Sequence, residues 1–513
     1  MKVILAGYNL DQRIIASVRE SLLESGTGTS ENRSSSLQSI DPEALSPETL
    51  SAAYARISRD PKPIPELRAE SVTNVAKARR SNETIVFGFG HASVAEHAVF
   101  NLDILDISRL ALEALEASRL GSYTEKSQRY ILLAEDYIVP KEISGSSLEG
   151  DFRKMIARQQ AGYTATYQAL EQYYQTEHAD EWSTKGGRRE MKNAAKEDAR
   201  YYLGLATTGQ VGVTMNARTL EGTIRRLAAD PLAEARDLGE RLHEICSKIA
   251  PSLIRYTDAA PYRCQTPIDL QKMLTQLRAG SPIDPASATT NPEGDSVRLI
   301  SSTPDGEEEV LAAIIHGHSN LDWSEAKRLA RELSEEQREA LMRESLSRAT
   351  VHDSLMRQFE LAEFTFELIV SASCFAQLKR HRLATLLCQS YDPTLGVTVP
   401  PSFDLVGQSQ DFRDCCNASA ELYRKIDATT PAGATYALTN GHRRRVVFKA
   451  NARELVHFSR LRLDSHAQWD IRALAEEMIT QAKRAMPTVM MLAAGKDTFD
   501  GIHQPSSLVN QTT

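Results

Sequence analysis

Nowhere does the chain hold an apolar run of about twenty residues, so no membrane-spanning helix is expected. Its apolar opening, Met1 to Gly7, meets Asp11 and Arg13 too soon to form a signal-peptide core, which makes a cytoplasmic protein the expectation. Cysteine is scarce: Cys246, Cys264, Cys374, Cys388, Cys415 and Cys416 form no CxxC pair and no dense disulfide pattern. Buried thiols are expected, and no metal site. No block of Lys and Arg occurs, and the net charge is −8, which argues against an electrostatic nucleic-acid binder. Small anionic ligands, such as nucleotide phosphates held by single arginines, are expected instead.

What is present is a globular composition, 41% hydrophobic and 25% charged, over 513 residues, more than one core usually holds. Two large units are expected. Ser25 to Ser46 is rich in Gly, Ser, Thr and Asn and reads as a loop. Ala279 to Asp295 is crowded with Gly, Pro, Ser, Thr and Asn and reads as an interdomain linker. The expected division is residues 1–46, an N-terminal segment; 47–264, a first repeat; 265–296, a linker; 297–497, a second repeat; and 498–513, a tail.

The same order of elements stands on either side of the linker. Ala98 to Leu120 (AVFNLDILDISRLALEALEASRL) predicts a strand running into an apolar-periodic helix that ends on Arg119. Leu361 to Leu383 (LAEFTFELIVSASCFAQLKRHRL) has the same form without a gap and ends on Arg380, His381 and Arg382. Each half later carries Asn-Ala-Arg, at Asn216 to Arg218 and at Asn451 to Arg453, opening a helical stretch. Long periodic runs, Asp151 to His178 and Trp323 to Leu346, add helix. The fold class is α+β.

The segments GHASVAEH (Gly90 to His97), SYTEKSQRY (Ser122 to Tyr130), QLKRHR (Gln377 to Arg382) and NARELVHFSRLRLDSHAQWDI (Asn451 to Ile471) resemble the motifs of flavin-dependent thymidylate synthases. That family's signature is an Arg-His-Arg helix end followed by a Ser-x-Asn-Glu-x-Ser-x-Arg-Tyr loop, and this chain divides it. In the first half Ala117 and Ser118 replace Arg and His and Thr124 replaces Asn, while Ser122, Glu125, Ser127, Arg129 and Tyr130 fit the loop. In the second half Arg380, His381 and Arg382 fit, while Thr385, Cys388, Asp392 and Pro393 depart from the loop. Eleven residues past the Asn of Asn-Ala-Arg, Arg462 fits the arginine that holds the pyrimidine, and Leu227 does not. Upstream, Glu197 and Arg200 fit a further substrate motif with no match around Ala434 to Leu438.

The resemblance implies two tandem copies of that fold, each a mixed sheet flanked by helices, and a homodimer imitating the family's shared-site tetramer. The implied reaction is reductive methylation of dUMP to dTMP with methylenetetrahydrofolate, FAD and NADPH. A composite site would take Glu125, Ser127, Arg129 and Arg200 from the first half and Gln377 and Arg380 from the second for dUMP, with Arg462 catalytic. For FAD, Ser93, Glu125, Arg380, His381, Arg382, Asn451, Arg453, His457 and His466 match the family's positions. Glu96 and His97 would support the Ser93 loop, whose second-half counterpart keeps only Glu360.

Taken singly, each feature has an ordinary explanation. Arg-His-Arg at a helix end complements the helix dipole. Glu125 and Arg129, four apart, make a surface ion pair. Arg462, His466 and Gln468 make a solvated face, and Trp469 a core anchor. The alternative function is a non-catalytic or repurposed flavin- or nucleotide-binding protein. A third, methylation of uridine in RNA, needs a basic surface that the composition does not suggest.

Overall fold

The computed structural model describes residues 1–25, 41–132, 136–279 and 296–499. Most of the loop expected at Ser25 to Ser46, the linker expected at Ala279 to Asp295 and the expected tail lie outside the described residues. Two compact units form. The first is Met1–Gln160, Leu203–Ile283 and Ala418–Ala437; the second is Ala161–Tyr202, Asp284–Asn417 and Leu438–Thr513. Each unit thus takes most of one half of the chain and a segment of the other.

In the first unit β1 (Lys2–Tyr8), β2 (Val99–Ser108), β3 (Ser122–Glu125) and β4 (Thr208–Asn216) make an antiparallel sheet in the order β1-β2-β4-β3. Phe100, Leu102 and Ile104 alternate into the core, as a half-covered strand requires. Between Leu105 and Ile107 the register shifts, with Asp106 at φ 56°. That extra residue turns Ile107 back to the core and leaves Ser108 to cap the next helix, Arg109–Glu116, by accepting from the Ala111 amide.

The second unit repeats the order with β5 (Val297–Ser302), β6 (Glu363–Ser371), β7 (Thr385–Tyr391) and β8 (Arg443–Asn451), arranged β5-β6-β8-β7. Phe364, Phe366, Leu368 and Val370 alternate into its core, and β6 pairs with β8 without a break. Ser371 caps the helix Ala372–Leu378 as Ser108 caps its counterpart. The α+β class is as the sequence indicated, while the strand pairs of both sheets are all antiparallel where a mixed sheet was expected.

Both Asn-Ala-Arg motifs have a local cause. Asn216 caps Ala217–Ala228 and Asn451 caps Ala452–Arg462, each side chain accepting the third helical amide. Arg218 then pairs with Glu96 at 2.6 Å, and Arg453 with Glu360 at 3.0 Å, tying each helix start to the 3-10 turn before β2 or β6. Asp151 to His178 is helical, as Glu149–Glu177. Trp323 to Leu346 is two helices, because Ser334 opens a second capping box with Gln337. Thr266–Ala279, read as linker, is helix. Of the cysteines, four are buried as expected, but Cys264 and Cys388 are exposed, the latter on β7.

Candidate functional site

In the second unit the helix Ala372–Leu378 ends just before the Arg-His-Arg, with Lys379 between, and Gln377 and His381 stay buried while Arg380 and Arg382 emerge exposed. Facing them is Arg462, the last residue of the Asn451-capped helix. Its Nε donates to His381 Nε2 at 2.9 Å and its Nη2 to the Gln377 carbonyl at 3.0 Å. His381 Nδ1 lies 3.3 Å from Glu454 Oε1. Burial, then the charges of Arg462 and His457, hold the His381 imidazole well below its usual range, so it is neutral.

A hydrogen-bonded path continues from this point. Gln377 Nε2 donates to Gln468 Oε1 at 3.3 Å, Gln468 Nε2 to the Tyr201 hydroxyl at 3.0 Å, and that hydroxyl to Asp470 Oδ2 at 2.8 Å. Ser371 also donates to Asp470, at 2.6 Å. Tyr201 follows Arg200, which is only 6% exposed and whose carbonyl accepts from Asn440 Nδ2 at 3.0 Å. Arg200, from the first half, therefore joins Gln377 and Arg462, from the second, in one unit. Arg200 and Arg462 both act on the buried Cys374 thiol, which burial nevertheless raises far above its usual range.

Beneath Arg200, Asp198 accepts from Ser402 at 2.6 Å and from the Trp469 indole at 2.8 Å. Burial pushes its carboxyl up to about 6 against those hydrogen bonds. Trp469 stacks on Tyr201 with centroids 5.6 Å apart. Gln468 is fully buried, so it is part of this network and not a solvated face.

The first unit holds the same lock with partners exchanged. Ser108 and Tyr436 both donate to Glu234 Oε2, at 2.6 and 2.8 Å, and Tyr436 comes from the second half. Counted from these tyrosines, Thr435 stands where Arg200 stands. That is the physical form of the loss read around Ala434 to Leu438.

The other expected nucleotide residues belong to the first unit. Glu125 ends β3 with its side chain 8% exposed, 3.5 Å from Arg109 Nη1. Ser127 Oγ accepts from the Arg129 amide at 3.1 Å, and the Arg129 guanidinium lies over the Tyr130 ring. Glu125 is thus paired with a buried arginine that sequence reading missed; the only hint was an arginine at the start of an apolar helix. Ser93 is exposed on the 3-10 turn Ala92–His97.

For a flavin, the exposed Arg380, Arg382 and His457 fit an anionic, phosphate-bearing group. Asn451 and Arg453 already serve the fold, the first as cap and the second through Glu360 and the Leu355 carbonyl at 2.6 Å. His466 is exposed beside Asp464, 3.0 Å away. Among the described residues no cluster of His, Cys, Asp and Glu is placed to hold a metal, and no helix is long and apolar enough to cross a membrane.

The family model described as thymidylate synthase complementing protein matches twice, over residues 43–252 and 298–488. A flavin-dependent thymidylate synthase of Clostridium tetani is 30% identical over 214 residues, covering 41% of this chain and 82% of the relative. This chain belongs to the flavin-dependent thymidylate synthase family. A second such synthase, from Geobacter sulfurreducens, is 34% identical over 203 residues, covering 38% of the chain and 84% of the relative. A UPF0159 protein of Thermoplasma acidophilum is 24% identical over 486 residues, 88% of this family member and 95% of the relative. A solved UMP/dUMP methylase from Streptomyces cacaoi, bound with 5-Br dUMP, aligns with a TM-score of 0.31 at 21% identity over 38% of this chain and 92% of that one.

Proposed function

We propose that this chain is a thymidylate synthase that methylates dUMP reductively, using methylenetetrahydrofolate, FAD and NADPH, with one complete set of substrate residues per chain. The observation that carries the reading is Arg462, fixed through two nitrogens in the unit that also holds Arg200 and Gln377. The equivalent of each is lost in the other half, as Leu227, Thr435 and Ala114. Arg129, Arg200 and Arg380 suit a 5′-monophosphate, because a forked guanidinium gives two charge-assisted hydrogen bonds to one phosphate. Arg462 would stabilise the negative charge that develops on the pyrimidine as C5 becomes nucleophilic. FAD, when bound, supplies the hydride, and Arg380, Arg382 and His457 are the residues here that would hold it. No thiol nucleophile is needed: burial pushes the Cys246 thiol up to about 12 and the Cys374 thiol well above its usual range, the reverse of activation. Such a chain would work as a homodimer with two sites.

The test is tritium release from 5-tritiated dUMP by protein supplied with FAD, NADPH and methylenetetrahydrofolate, comparing wild type with Arg129→Ala and Arg462→Ala. Release that either substitution abolishes supports the synthase. No release despite stoichiometric FAD supports the non-catalytic flavoprotein instead.

One observation favours RNA methylation as a second reading. Contrary to the sequence expectation of no basic surface, a cleft of about 370 Å³ is lined by Ser183, Lys185, Arg188, Arg189, Lys192, Asn193 and Lys196. No aromatic is among these lining residues, and the neighbouring Trp182 ring already lies under Arg188 and Lys192, which favours the mononucleotide reading. Salt-sensitive binding of a uridine-containing oligonucleotide, lost in Lys185→Glu/Arg189→Glu, would reverse that preference.

A further inference from the structure

Arg462 is held in place by a side chain that is itself held. The nitrogen that accepts from a guanidinium carries no proton, so neutral His381 keeps its single proton on Nδ1, facing Glu454. His381 and Glu454 are 4% and 5% exposed, so water does not compete for either contact. The opposite tautomer would set an Nε2–H against the Arg462 Nε–H, donor against donor. We infer that Glu454 is a positioning residue that fixes the His381 tautomer and thereby the aim of Arg462, a role that rests on the synthase reading above.

The other half of the chain supplies the comparison. Counted from the caps Ser108 and Ser371, and from Asn216 and Asn451, Ser118 stands for His381, Leu227 for Arg462 and Thr219 for Glu454. All three members are absent together, and Ser118 Oγ lies 2.6 Å from Thr223 Oγ1 instead. Yet the helix there keeps its cap, with Asn216 accepting from the Thr219 amide at 2.8 Å. The helix start therefore does not require a glutamate at this place. The carboxylate is present where the arginine is present and gone where it is gone.

The surroundings agree with the assignment. Around Glu454 stand His381, His457 and Arg453; around His381 stand Arg462, His457 and the Phe458 ring, 4.7 Å away. Burial raises the Glu454 carboxyl while His457 and Arg453 lower it, and no other carboxylate among these groups competes for the Nδ1 proton.

The experiment uses full-length protein loaded with FAD, as wild type, Glu454→Gln and Glu454→Thr, the latter copying Thr219. The expected result is a fall in kcat for tritium release of roughly ten- to a hundredfold, the size of effect seen for carboxylates that orient metal-bound imidazoles. KM for dUMP and bound FAD should stay near wild type in both, and the thermal midpoint should stay near wild type in the isosteric Glu454→Gln. In parallel, ¹⁵N spectra of histidine-labelled wild type, with His381 assigned by His381→Gln, should show Nδ1 protonated and Nε2 bare, and Glu454→Gln should mix the two tautomers. A kcat within about twofold of wild type in both variants, or a wild-type His381 protonated on Nε2, would overturn the assignment. The spectra decide even if no variant releases tritium: Nδ1 protonation lost in Glu454→Gln would uphold the positioning contact while the synthase reading failed.

Discussion

Replacing Tyr201 by Phe removes one oxygen that donates to Asp470 at 2.8 Å and accepts from Gln468 at 3.0 Å. A hydrogen bond to a charged group contributes about 1.5–3 kcal/mol and a neutral one about 1 kcal/mol, so the loss should be about 2–4 kcal/mol. Tyr436→Phe, the same change in the other unit, removes one donor from Glu234. That carboxylate keeps the Ser108 hydroxyl and the Ser108 amide, at 2.6 and 2.8 Å, where Asp470 keeps the Ser371 hydroxyl, and Gln468 has only Ala233 as its counterpart, so about 1–2 kcal/mol is expected. The assay is selective, because all three tryptophans, Trp182, Trp323 and Trp469, belong to the second unit. Thermal unfolding followed by tryptophan fluorescence should shift down by roughly 5–10 °C for Tyr201→Phe. An unshifted midpoint, or an equal shift from both variants, would refute the unequal roles given to these two locks.

Other consequences concern charge and chemistry. Asp198, pushed up to about 6, binds its proton more tightly folded than unfolded, so its contribution to stability falls as pH rises from about 4 to about 6, by about 3 kcal/mol. Asp198→Asn should abolish that part of the slope in tryptophan-monitored urea unfolding. His442, pushed down to about 4 by burial, acts oppositely: its contribution is lost as pH falls from about 6.5 through 4. A wild-type slope unaltered by Asp198→Asn would contradict the burial argument. Arg200→Thr, copying Thr435, should raise KM for dUMP by roughly ten- to a hundredfold, the worth of a charge-assisted phosphate contact, with FAD retained. Cys388→Ser should leave tritium release unchanged, and a large loss would reopen thiol catalysis.

How far the sequence could be read depended on the range of the contact. The central strand and following helix of each half, and the helices after the two Asn-Ala-Arg motifs, followed from periodicity and spacing, and the structure adds their local cause, the caps Ser108, Ser371, Asn216 and Asn451 on amides three residues away. Motif spacing also located Arg462 and Arg200. Hidden from view was everything that depends on the exchange of segments: nothing in the local pattern near Tyr201 announces Asp470, or near Tyr436 announces Glu234. Glu454 drew no reading, because its partner, His381, lies far away in sequence. Asn451 and Arg453 were read as flavin ligands, and their visible engagement as cap and ion pair comes from three-dimensional proximity. The break at Ser334 was legible as Ser-x-x-Gln but was submerged in a longer periodic run.

The claim of one complete substrate set per chain is tested most directly by calorimetric titration of dUMP into FAD-loaded protein of known chain concentration. One dUMP bound per chain, lost in Arg462→Ala or in Arg129→Ala, is the predicted result; two equivalent dUMP molecules per chain would contradict it.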